Sequence, residues 1–290
     1  MVNIESQLIS ISDLRKVSGI GNKTIERIKE QLEQNELDKQ YISEYDEDLH
    51  LDINKIHLGD CLELMNGIPD KSVDMILCDL PYGTTACKWD SIIPFEPLWE
   101  QYERVIKDNG AIALTASQPF TTKLIGSNID LFRYCWVWNK KISGNPLLAK
   151  HQPLKVHEDI CIFSKKRHNY YPQMRKGKMR KKGGGRSKLF DMEMSAKYSD
   201  EYYPISIIEF SNAKRGIHPT QKPVELLEYL IKTYTSEGDL VSDNCIGSGS
   251  TAIAAINTNR NYMGIEMDED YYKIANNRIN KHLEATRKGV

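Results

Sequence analysis

From residue 54 onward, apolar positions along the chain alternate between short continuous runs and longer runs with helical spacing. The short runs predict buried strands over KIHL, VDMIL, AIALTA, FRYCWVW, DICIFS, ISIIEF, DLVSD and YMGIE. Apolar residues three and four apart predict helices over FEPLWEQYERVI, PVELLEYLIKTY and STAIAAIN, and a last helix from Glu269. This alternation predicts an α/β fold with a mostly parallel sheet covered on both faces, in which ligands bind beyond the carboxyl ends of the strands.

The first 53 residues carry a different pattern. Residues 1–38 predict a small helical segment, because apolar residues recur there at helical spacing with one break at Gly19-Ile20-Gly21. VSGIGNKTIERI resembles a helix-hairpin-helix, whose Gly-Ile-Gly amides can hold a phosphate; a purely structural helical hairpin explains these residues equally well. The polar, acidic residues 39–53 predict a linker to a larger domain over 54–285.

Composition places the chain among ordinary globular proteins, with 40% hydrophobic and 27% charged residues. No apolar run is long enough to span a bilayer, and MVNIESQLISIS lacks the basic head and apolar core of a signal peptide. We therefore expect a cytoplasmic protein without a membrane partner. The six cysteines are scattered and have no metal-ligand spacing, so we expect reduced thiols and no metal site.

The net charge of -1 conceals a strong segregation of charge. The stretch from Lys165 to Lys188 contains lysine and arginine with no acidic residue. Because the local field decides phosphate binding, the near-neutral mean does not exclude a nucleic-acid partner.

A glycine-rich turn follows the predicted strand DLVSD and opens a helix. Its candidate ligand contacts are Asp243, Asn244, Gly247, Ser248 and Gly249. Glycines let the backbone approach a ligand closely, and Glu266, at the end of the next strand, is suited to accept hydrogen bonds from ribose hydroxyls. The pattern indicates an adenosine-like ligand; it also fits a nicotinamide dinucleotide, or a tight turn without a ligand.

A second turn, Asp79-Leu80-Pro81-Tyr82, stands directly after the buried strand VDMIL. Pro81 locks the turn and keeps Leu80 extended, so that the Leu80 carbonyl and the Asp79 carboxylate form two acceptors suited to an NH2 group. Tyr82 offers a flat face on which a base can stack. A plain strand-terminal turn, with Asp79 as a cap and Tyr82 in the core, is the alternative.

With these residues the chain resembles the amino-methyltransferases of DNA, whose hallmark is Asp/Asn/Ser-Pro-Pro-Tyr/Phe. Leu58-Gly59-Asp60-Cys61, the segment HPTQKP at 218–223 and the turn DNCIGSGS extend the resemblance, which covers about residues 54–285. The catalytic turn precedes the cofactor turn, as in the circularly permuted β group of this phage- and bacterial-type family. A nicotinamide enzyme would carry neither DLPY nor HPTQKP.

The resemblance implies a Rossmann-like methyltransferase fold that uses S-adenosyl-L-methionine on double-stranded DNA, with the target base flipped out and methylated directly. It implies catalytic roles for Asp79, Leu80, Pro81 and Tyr82. The implied cofactor contacts are Asp60, Cys61, Thr220, Lys222, Asp243, Asn244, Gly247, Ser248, Gly249 and Glu266, with the HPTQKP segment at the methionine carboxylate. It also implies a place in a restriction-modification system.

An aspartate at the first position of the motif favours N6 of adenine, with N4 of cytosine as the alternative. Leu80 and Cys245 depart from the family pattern, which leaves a catalytically weak DNA-binding relative as a further alternative. Residues 165–212 occupy the place of the family's target-recognition segment. The candidate DNA contacts there are Arg175, Lys176, Arg180, Lys181, Lys182 and Arg186. A solvated loop without a role is the other interpretation, and both a monomer and a homodimer remain open.

Overall fold

Eight strands form the central sheet of the protein in a computed structural model. The structure describes residues 51–83, 91–144, 146–182, 185–187, 192–194, 197–212 and 221–288, and side chains within 51–83, 91–144, 146–181, 197–212 and 221–287. These residues belong to one compact unit that begins at Leu51. The predicted helical segment 1–38 and most of the predicted linker lie outside the described residues, so the predicted domain boundaries stay predictions.

The described residues form twelve strands. They are β1 (Lys55–Leu58), β2 (Val73–Cys78), β3 (Ile106–Ala116), β4 (Phe132–Asn139), β5 (His157–Phe163), β6 (Arg175–Lys182), β7 (Gly185–Ser187), β8 (Met192–Met194), β9 (Lys197–Tyr202), β10 (Ile207–Glu209), β11 (Leu240–Asp243) and β12 (Asn261–Glu266). Eight of the twelve follow the predicted runs in order, and the other four, β6 to β9, lie within residues 175–202, where no strand was predicted. The central sheet has the order β1-β12-β11-β2-β3-β5-β4-β10. Its neighbours are parallel except where β5 lies antiparallel between β3 and β4. The mostly parallel sheet is therefore confirmed.

Six described α-helices accompany the strands. They are α1 (Cys61–Leu64), α2 (Phe95–Val105), α3 (Phe120–Ser127), α4 (Val224–Tyr234), α5 (Ser250–Asn257) and α6 (Glu269–Lys288). The helices over the predicted runs form because their apolar residues recur every three or four positions and give each helix one buried face. On α4, for example, Leu226, Leu227, Leu230 and Ile231 are buried.

Two apolar cores lie on opposite faces of the sheet, since successive side chains of a strand point to opposite faces. In β2, Met75 and Leu77 pack into the core with α4, α5 and α6, whereas Ile76 and Cys78 pack into the core with α1, α2 and α3. Complete burial of one such side chain contributes roughly 1.5–3 kcal/mol. Helices thus cover both faces, as predicted, and the ligand-binding surface must lie at an edge of the strands.

The carboxyl ends of β1, β12, β11, β2 and β3 meet at one edge of the sheet, because these five strands are parallel. Antiparallel β5 begins at this same edge, which brings the side chains at its start to the place where its neighbour β3 ends. Both predicted motifs follow strands that end here, after β2 and after β11.

Outside the central sheet, β6 pairs with β9 and β7 pairs with β8 as antiparallel ribbons. These ribbons lie in the predicted target-recognition segment. Among the described residues, no helix is both long enough and apolar enough to cross a lipid bilayer.

Candidate active site

The Asp79 carboxylate lies at the centre of a hydrogen-bond network at the carboxyl edge of the sheet. Its Oδ1 accepts hydrogen bonds from the Tyr82 hydroxyl, at 2.9 Å, and from the Thr115 hydroxyl. Its Oδ2 accepts from the Lys222 ammonium, at 2.5 Å. Three donors from three separate segments therefore fix the orientation of this carboxylate. The side chain remains about one quarter exposed (26%), so one side of it still faces solvent.

Lys222 joins Asp79 to a second carboxylate that the sequence did not single out. Its side chain is only 10% exposed, and its Nζ also lies 3.6 Å from Oε2 of Glu158. Burial alone would lower the pKa of Lys222, but the negative charges of Asp79 and Glu158 outweigh burial and raise that pKa above its usual value. Lys222 is therefore a buried, charged ammonium between two carboxylates. The sequence predicts that it holds the methionine carboxylate, and that role stays a prediction.

Glu158 is held at its other oxygen by Lys140, whose Nζ lies 2.8 Å from Oε1. Burial opposes the charge of Glu158, but Lys222, Lys140 and Lys155 outweigh it and lower the pKa of Glu158. Glu158 stands at the start of β5, and only the antiparallel direction of that strand brings it to the site. No sequence motif marks it.

Tyr82 is half-buried, with its ring stacked on Phe120 at 5.0 Å between centroids and 24° between planes. Burial and the nearby charges of Asp79 and Glu158 raise the pKa of the Tyr82 hydroxyl, so this hydroxyl remains a donor to Asp79. Phe120 covers one face of the ring, and the Lys222 ammonium also lies over the ring, 5.9 Å from its centroid. The stacking of a base on Tyr82 stays a prediction. The alternative that Tyr82 is simply a core residue accounts for its contact with Phe120 but not for the hydrogen bond from its hydroxyl to Asp79.

The leucine that replaces the first proline of the family motif is buried. The Leu80 side chain is 3% exposed and packs in the core with α1, α2 and α3. The leucine side chain therefore anchors the turn to this core by apolar packing. Pro81 is half-buried. The acceptor role of the Leu80 carbonyl stays a prediction.

The glycine-rich turn lies at the end of β11, directly beside β2. Gly247 and Gly249 have φ values of 54° and 78°, in the left-handed region that favours glycine. A Cβ at Gly249 would lie 3.3 Å from the Cβ of Ala275 on α6. The two glycines therefore give this turn a shape that larger residues would strain.

Buried polar side chains hold the turn in place. Asp243 accepts hydrogen bonds from the backbone N–H of Cys245, at 3.1 Å, and from the Thr251 hydroxyl, at 2.6 Å. The Asn244 amide oxygen accepts from the Tyr102 hydroxyl on α2, at 2.6 Å. Asp243 and Asn244 thus shape the turn from within, and their predicted direct contact with a cofactor stays a prediction.

Ser248, also buried, is tied to the last helix. The Arg278 guanidinium on α6 donates to the Ser248 carbonyl, at 2.9 Å, and to the Ser250 hydroxyl, at 2.9 Å. The sequence did not identify Arg278 or Tyr102 as supports of the turn. Their partners lie 30 and 142 residues away along the chain, and contacts of this kind arise from helix packing that no local sequence pattern reveals.

Glu266 ends β12, and one of its carboxylate oxygens contacts the glycine-rich turn. Oε2 accepts from the backbone N–H of Gly247, at 2.8 Å, and Oε1 from that of Asp268, at 2.9 Å. Burial raises the pKa of Glu266 above its usual value. Because an ionised carboxylate has about four acceptor positions, this one can hold the turn and still accept hydrogen bonds from two ribose hydroxyls.

Asp60 and Cys61 lie at the end of β1, on the same edge. Asp60 is exposed and caps α1, since its Oδ1 accepts from the backbone N–H of Leu62 at 2.8 Å. Cys61 is buried and, like Cys78 and Cys245, has a free thiol. Burial raises the pKa of Cys78 to about 12, so its thiol remains protonated. Thr220 lies outside the described residues.

The buried carboxyl of Asp243 gives the fold a specific pH dependence. Burial raises its pKa from 3.8 to about 6, so the folded chain binds more protons than the unfolded chain between these pH values. The free energy of unfolding should therefore fall as the pH rises through this window, by about 3 kcal/mol from this group.

Replacing Asp243 by asparagine should remove most of that decline. The measurement is chemical denaturation of the protein without cofactor at a series of pH values from 4 to 7. Equal pH dependence of the variant and the wild type would contradict the assignment.

Part of the candidate DNA surface is described in detail. Arg175, Lys176, Arg180 and Lys181 are exposed on β6, and the Arg180 guanidinium lies 5.9 Å from the ring centroid of Tyr202 on β9. Lys182 and Arg186 lie on β6 and β7, and their side chains are outside the described set. The ribbon thus presents cations together with an aromatic ring, which suits contact with nucleic acid.

Comparison with known proteins agrees with this geometry. The chain is 28% identical over 250 residues to the Type II methyltransferase M.BglII of Bacillus subtilis, covering 77% of this chain and 68% of that protein. It is 29% identical over 241 residues to the DNA adenine methyltransferase YhdJ of Escherichia coli K12, covering 76% and 81%.

Two solved structures share the fold. A complex of M1.HpyAVI with SAM has a TM-score of 0.55 at 21% identity, covering 77% of this chain and 98% of that chain. The cytosine-N4-specific PvuII DNA methyltransferase has a TM-score of 0.56 at 16% identity, covering 78% and 86%. The predicted Rossmann-like methyltransferase fold is therefore confirmed.

The model of one protein family, described as DNA methylase, matches residues 73–277. That span includes the Asp79 turn, Glu158, Lys222, the glycine-rich turn and Glu266. It covers more than half of the chain and confirms the resemblance drawn from the sequence. The chain therefore belongs to the DNA methylase family of the N6/N4 type.

Proposed function

We propose that this protein is a site-specific methyltransferase that modifies N6 of adenine in double-stranded DNA, with S-adenosyl-L-methionine as the methyl donor. One observation carries the proposal. The Asp79 turn and the glycine-rich turn stand at the ends of adjacent parallel strands, since β2 pairs with β11 in the register Ile76 with Ser242. An acceptor for an amino group and a pocket for an adenosine-containing donor therefore lie side by side.

The described residues fit S-adenosylmethionine. Two left-handed glycines permit close approach of its adenosine to the backbone, and Glu266 is an ionisable acceptor for its ribose hydroxyls. S-adenosylmethionine supplies an activated methyl group on a positively charged sulfur. The protein therefore needs no acid to activate the donor, and its contribution is positioning and electrostatics.

The target base must leave the duplex to reach this edge, at a cost of a few kcal/mol. Tyr82 supplies an aromatic ring for stacking. Asp79 and the Leu80 carbonyl accept hydrogen bonds from the two hydrogens of the amino group, which directs the nitrogen lone pair away from both acceptors and toward the donor. On transfer the sulfur would keep the bonding electron pair as a neutral thioether, and the methylated nitrogen would lose one proton to solvent on the exposed side of Asp79. Because the Tyr82 and Thr115 hydroxyls both donate to Oδ1, these two hydrogen bonds can hold the orientation of the Asp79 carboxylate while the base binds.

Adenine is favoured over cytosine by the aspartate at position 79, and one relative, YhdJ, is named a DNA adenine methyltransferase. The PvuII structure, named cytosine-N4-specific, supports N4 of cytosine as the second candidate. Direct sequencing of DNA from cells that express the protein, with modified bases identified, separates the two. We expect N6-methyladenine at one recurring sequence; N4-methylcytosine would replace the adenine assignment, and DNA without any added methyl group would favour the catalytically weak relative.

The cations of β6 are expected to supply much of the phosphate contact. Neutralising Arg175, Lys176, Arg180, Lys181 and Lys182 together should flatten the salt dependence of DNA binding, because each lost phosphate contact reduces the slope of log K against log salt by about one unit. Fluorescence anisotropy with a short duplex at several salt concentrations measures this slope.

A matched control neutralises five lysines elsewhere on the surface, namely Lys55, Lys71, Lys232, Lys273 and Lys281, which are all exposed. The control should retain the wild-type slope. An unchanged slope in the β6 variant would mean that this ribbon is not the electrostatic contact.

A further inference from the structure

Lys222 lies between two acceptors, only one of which it fully engages. Its Nζ is 2.5 Å from Oδ2 of Asp79 and 3.6 Å from Oε2 of Glu158. The first separation is a short, charge-assisted hydrogen bond, whereas the second is an ion pair without a hydrogen bond. The ammonium is held by Asp79 in this state.

This contact occupies the acceptor that the proposed function requires. Oδ1 of Asp79 already accepts from Tyr82 and Thr115. Oδ2 accepts from Lys222, on a side chain that is still about one quarter exposed. An incoming amino group must therefore compete with the Lys222 ammonium for the Asp79 carboxylate.

Glu158 offers Lys222 a second position. Oε2 of Glu158 is buried and accepts no hydrogen bond from any residue in the described part of the chain. Buried polar atoms usually have a partner, and an unsatisfied charged oxygen is costly. Lys140 engages Oε1 at 2.8 Å, which fixes the Glu158 side chain while Oε2 remains open toward Lys222. A displacement of about 1 Å would bring Nζ within hydrogen-bond distance of Oε2.

We propose that Lys222 changes partner when the target base enters, leaving Oδ2 of Asp79 for Oε2 of Glu158 as the amino group takes its place. Glu158 is then a positioning residue, because it acts on the reaction only through Lys222. The exchange also determines specificity: only a base that donates hydrogen bonds can replace the ammonium on Asp79. The inference rests on the proposed function and extends it.

The test compares two unmethylated duplexes that contain the sequence recognised by the protein. One has the natural target base, and the other has hydrogen in place of the target amino group. Their dissociation constants are measured with S-adenosylhomocysteine present, for the wild type and for Glu158→Gln, Lys222→Met and the double variant. The dissociation constant of the duplex without the amino group, divided by that of the natural duplex, reports how strongly the protein recognises the amino group. Glu269→Gln, which removes an exposed ion pair with Lys273 on α6, is the matched control.

We expect Glu158→Gln to reduce this ratio about tenfold, since the side chain at 158 then has no negative charge and only one acceptor oxygen for Lys140 and Lys222, so that Lys222 stays on Asp79. Lys222→Met should preserve or increase the ratio, because Oδ2 is then free. The double variant should behave as Lys222→Met does, and Glu269→Gln as the wild type. Such non-additivity is the sign of an exchange between two partners; a simple structural support would make the effects of Glu158→Gln and Lys222→Met both unfavourable.

An unchanged ratio in Glu158→Gln would overturn the inference, and so would a double variant as impaired as Glu158→Gln alone. If thermal denaturation shows that Glu158→Gln is unfolded, the Lys222→Met variant tests the exchange alone. A ratio ten times smaller in Lys222→Met than in the wild type would contradict the exchange. Methylation of the natural duplex by the wild type tests the proposed function separately. A wild type that methylates DNA, together with an unaffected Glu158→Gln, refutes only the exchange.

Discussion

Replacing Asp79 by alanine is expected to lower the rate of methyl transfer by about 10²–10³-fold, the usual effect of losing one preorganised polar group at a reacting centre. The carboxylate that accepts the amino hydrogens is lost, and Tyr82, Thr115 and Lys222 lose their shared acceptor. Affinity for S-adenosylhomocysteine should remain nearly unchanged, since the glycine-rich turn and Glu266 are untouched. Single-turnover kinetics and calorimetric titration measure the two effects.

Asp74→Ala is the matched control for Asp79→Ala. Asp74 lies near the start of β2, the strand that Asp79 follows, and its carboxylate accepts hydrogen bonds from the Lys107 ammonium, at 2.7 Å, and from the backbone N–H of Leu240, at 3.0 Å. The Asp74→Ala substitution should lower the free energy of unfolding, but the folded variant should transfer the methyl group at the wild-type rate. Substantial turnover by Asp79→Ala would refute the role of Asp79 as the acceptor.

The second large effect is expected at Glu266. Its replacement by alanine should weaken binding of S-adenosylhomocysteine about a hundredfold, because hydrogen bonds to a charged group contribute roughly 1.5–3 kcal/mol each and two ribose hydroxyls lose their acceptor. The backbone N–H groups of Gly247 and Asp268 also lose their partner, which loosens the turn. Calorimetric titration gives the dissociation constant directly.

Two variants control for Glu266→Ala. Glu266→Gln retains one carbonyl oxygen and should lose about tenfold in affinity. Glu269→Ala removes an exposed carboxylate three positions later, which pairs with Lys273, and should bind as the wild type does. If Glu266→Ala binds S-adenosylhomocysteine with wild-type affinity, the ribose does not contact this carboxylate.

The order of the eight central strands and of four helices, and the two turns at strand ends, could be predicted from the sequence because they depend on local information. The short helices α1 and α3 and the strands β6 to β9 were not predicted. Apolar runs show which segments are buried, and glycine or proline shows where the backbone must turn. The Asp79 turn and the glycine-rich turn then lie at the same edge for a general reason, since parallel strands end together.

The role of Glu158 could not be predicted in this way. An apolar run shows that a strand is buried but not its direction. DICIFS predicts a strand, and in a parallel sheet the polar residues that contact a ligand follow the strands, because parallel strands present their carboxyl ends to it. β5 is antiparallel, so the residue that reaches the site stands at its start.

The ion pair of Lys222 with Asp79 is a second contact that could not be predicted from the sequence. The resemblance identified this lysine as functional and placed it at the methionine carboxylate. In the structure its ammonium contacts Asp79, 143 positions away in the sequence. This ion pair depends on how α4 packs against β2, and the residues next to Lys222 in the sequence do not indicate it. Leu80 is the opposite case, since its departure from the motif is explained by simple burial.

The most direct test is a crystal structure of the protein with S-adenosylhomocysteine, in which the position of the ligand's sulfur relative to the Asp79 carboxylate is measured. We expect the adenosine against Gly247 and Gly249, the ribose hydroxyls on Glu266, and the sulfur facing Asp79 across a gap that fits one base. A glycine-rich turn that stays empty at saturating ligand, or a carboxylate directed away from the sulfur, would contradict this expectation.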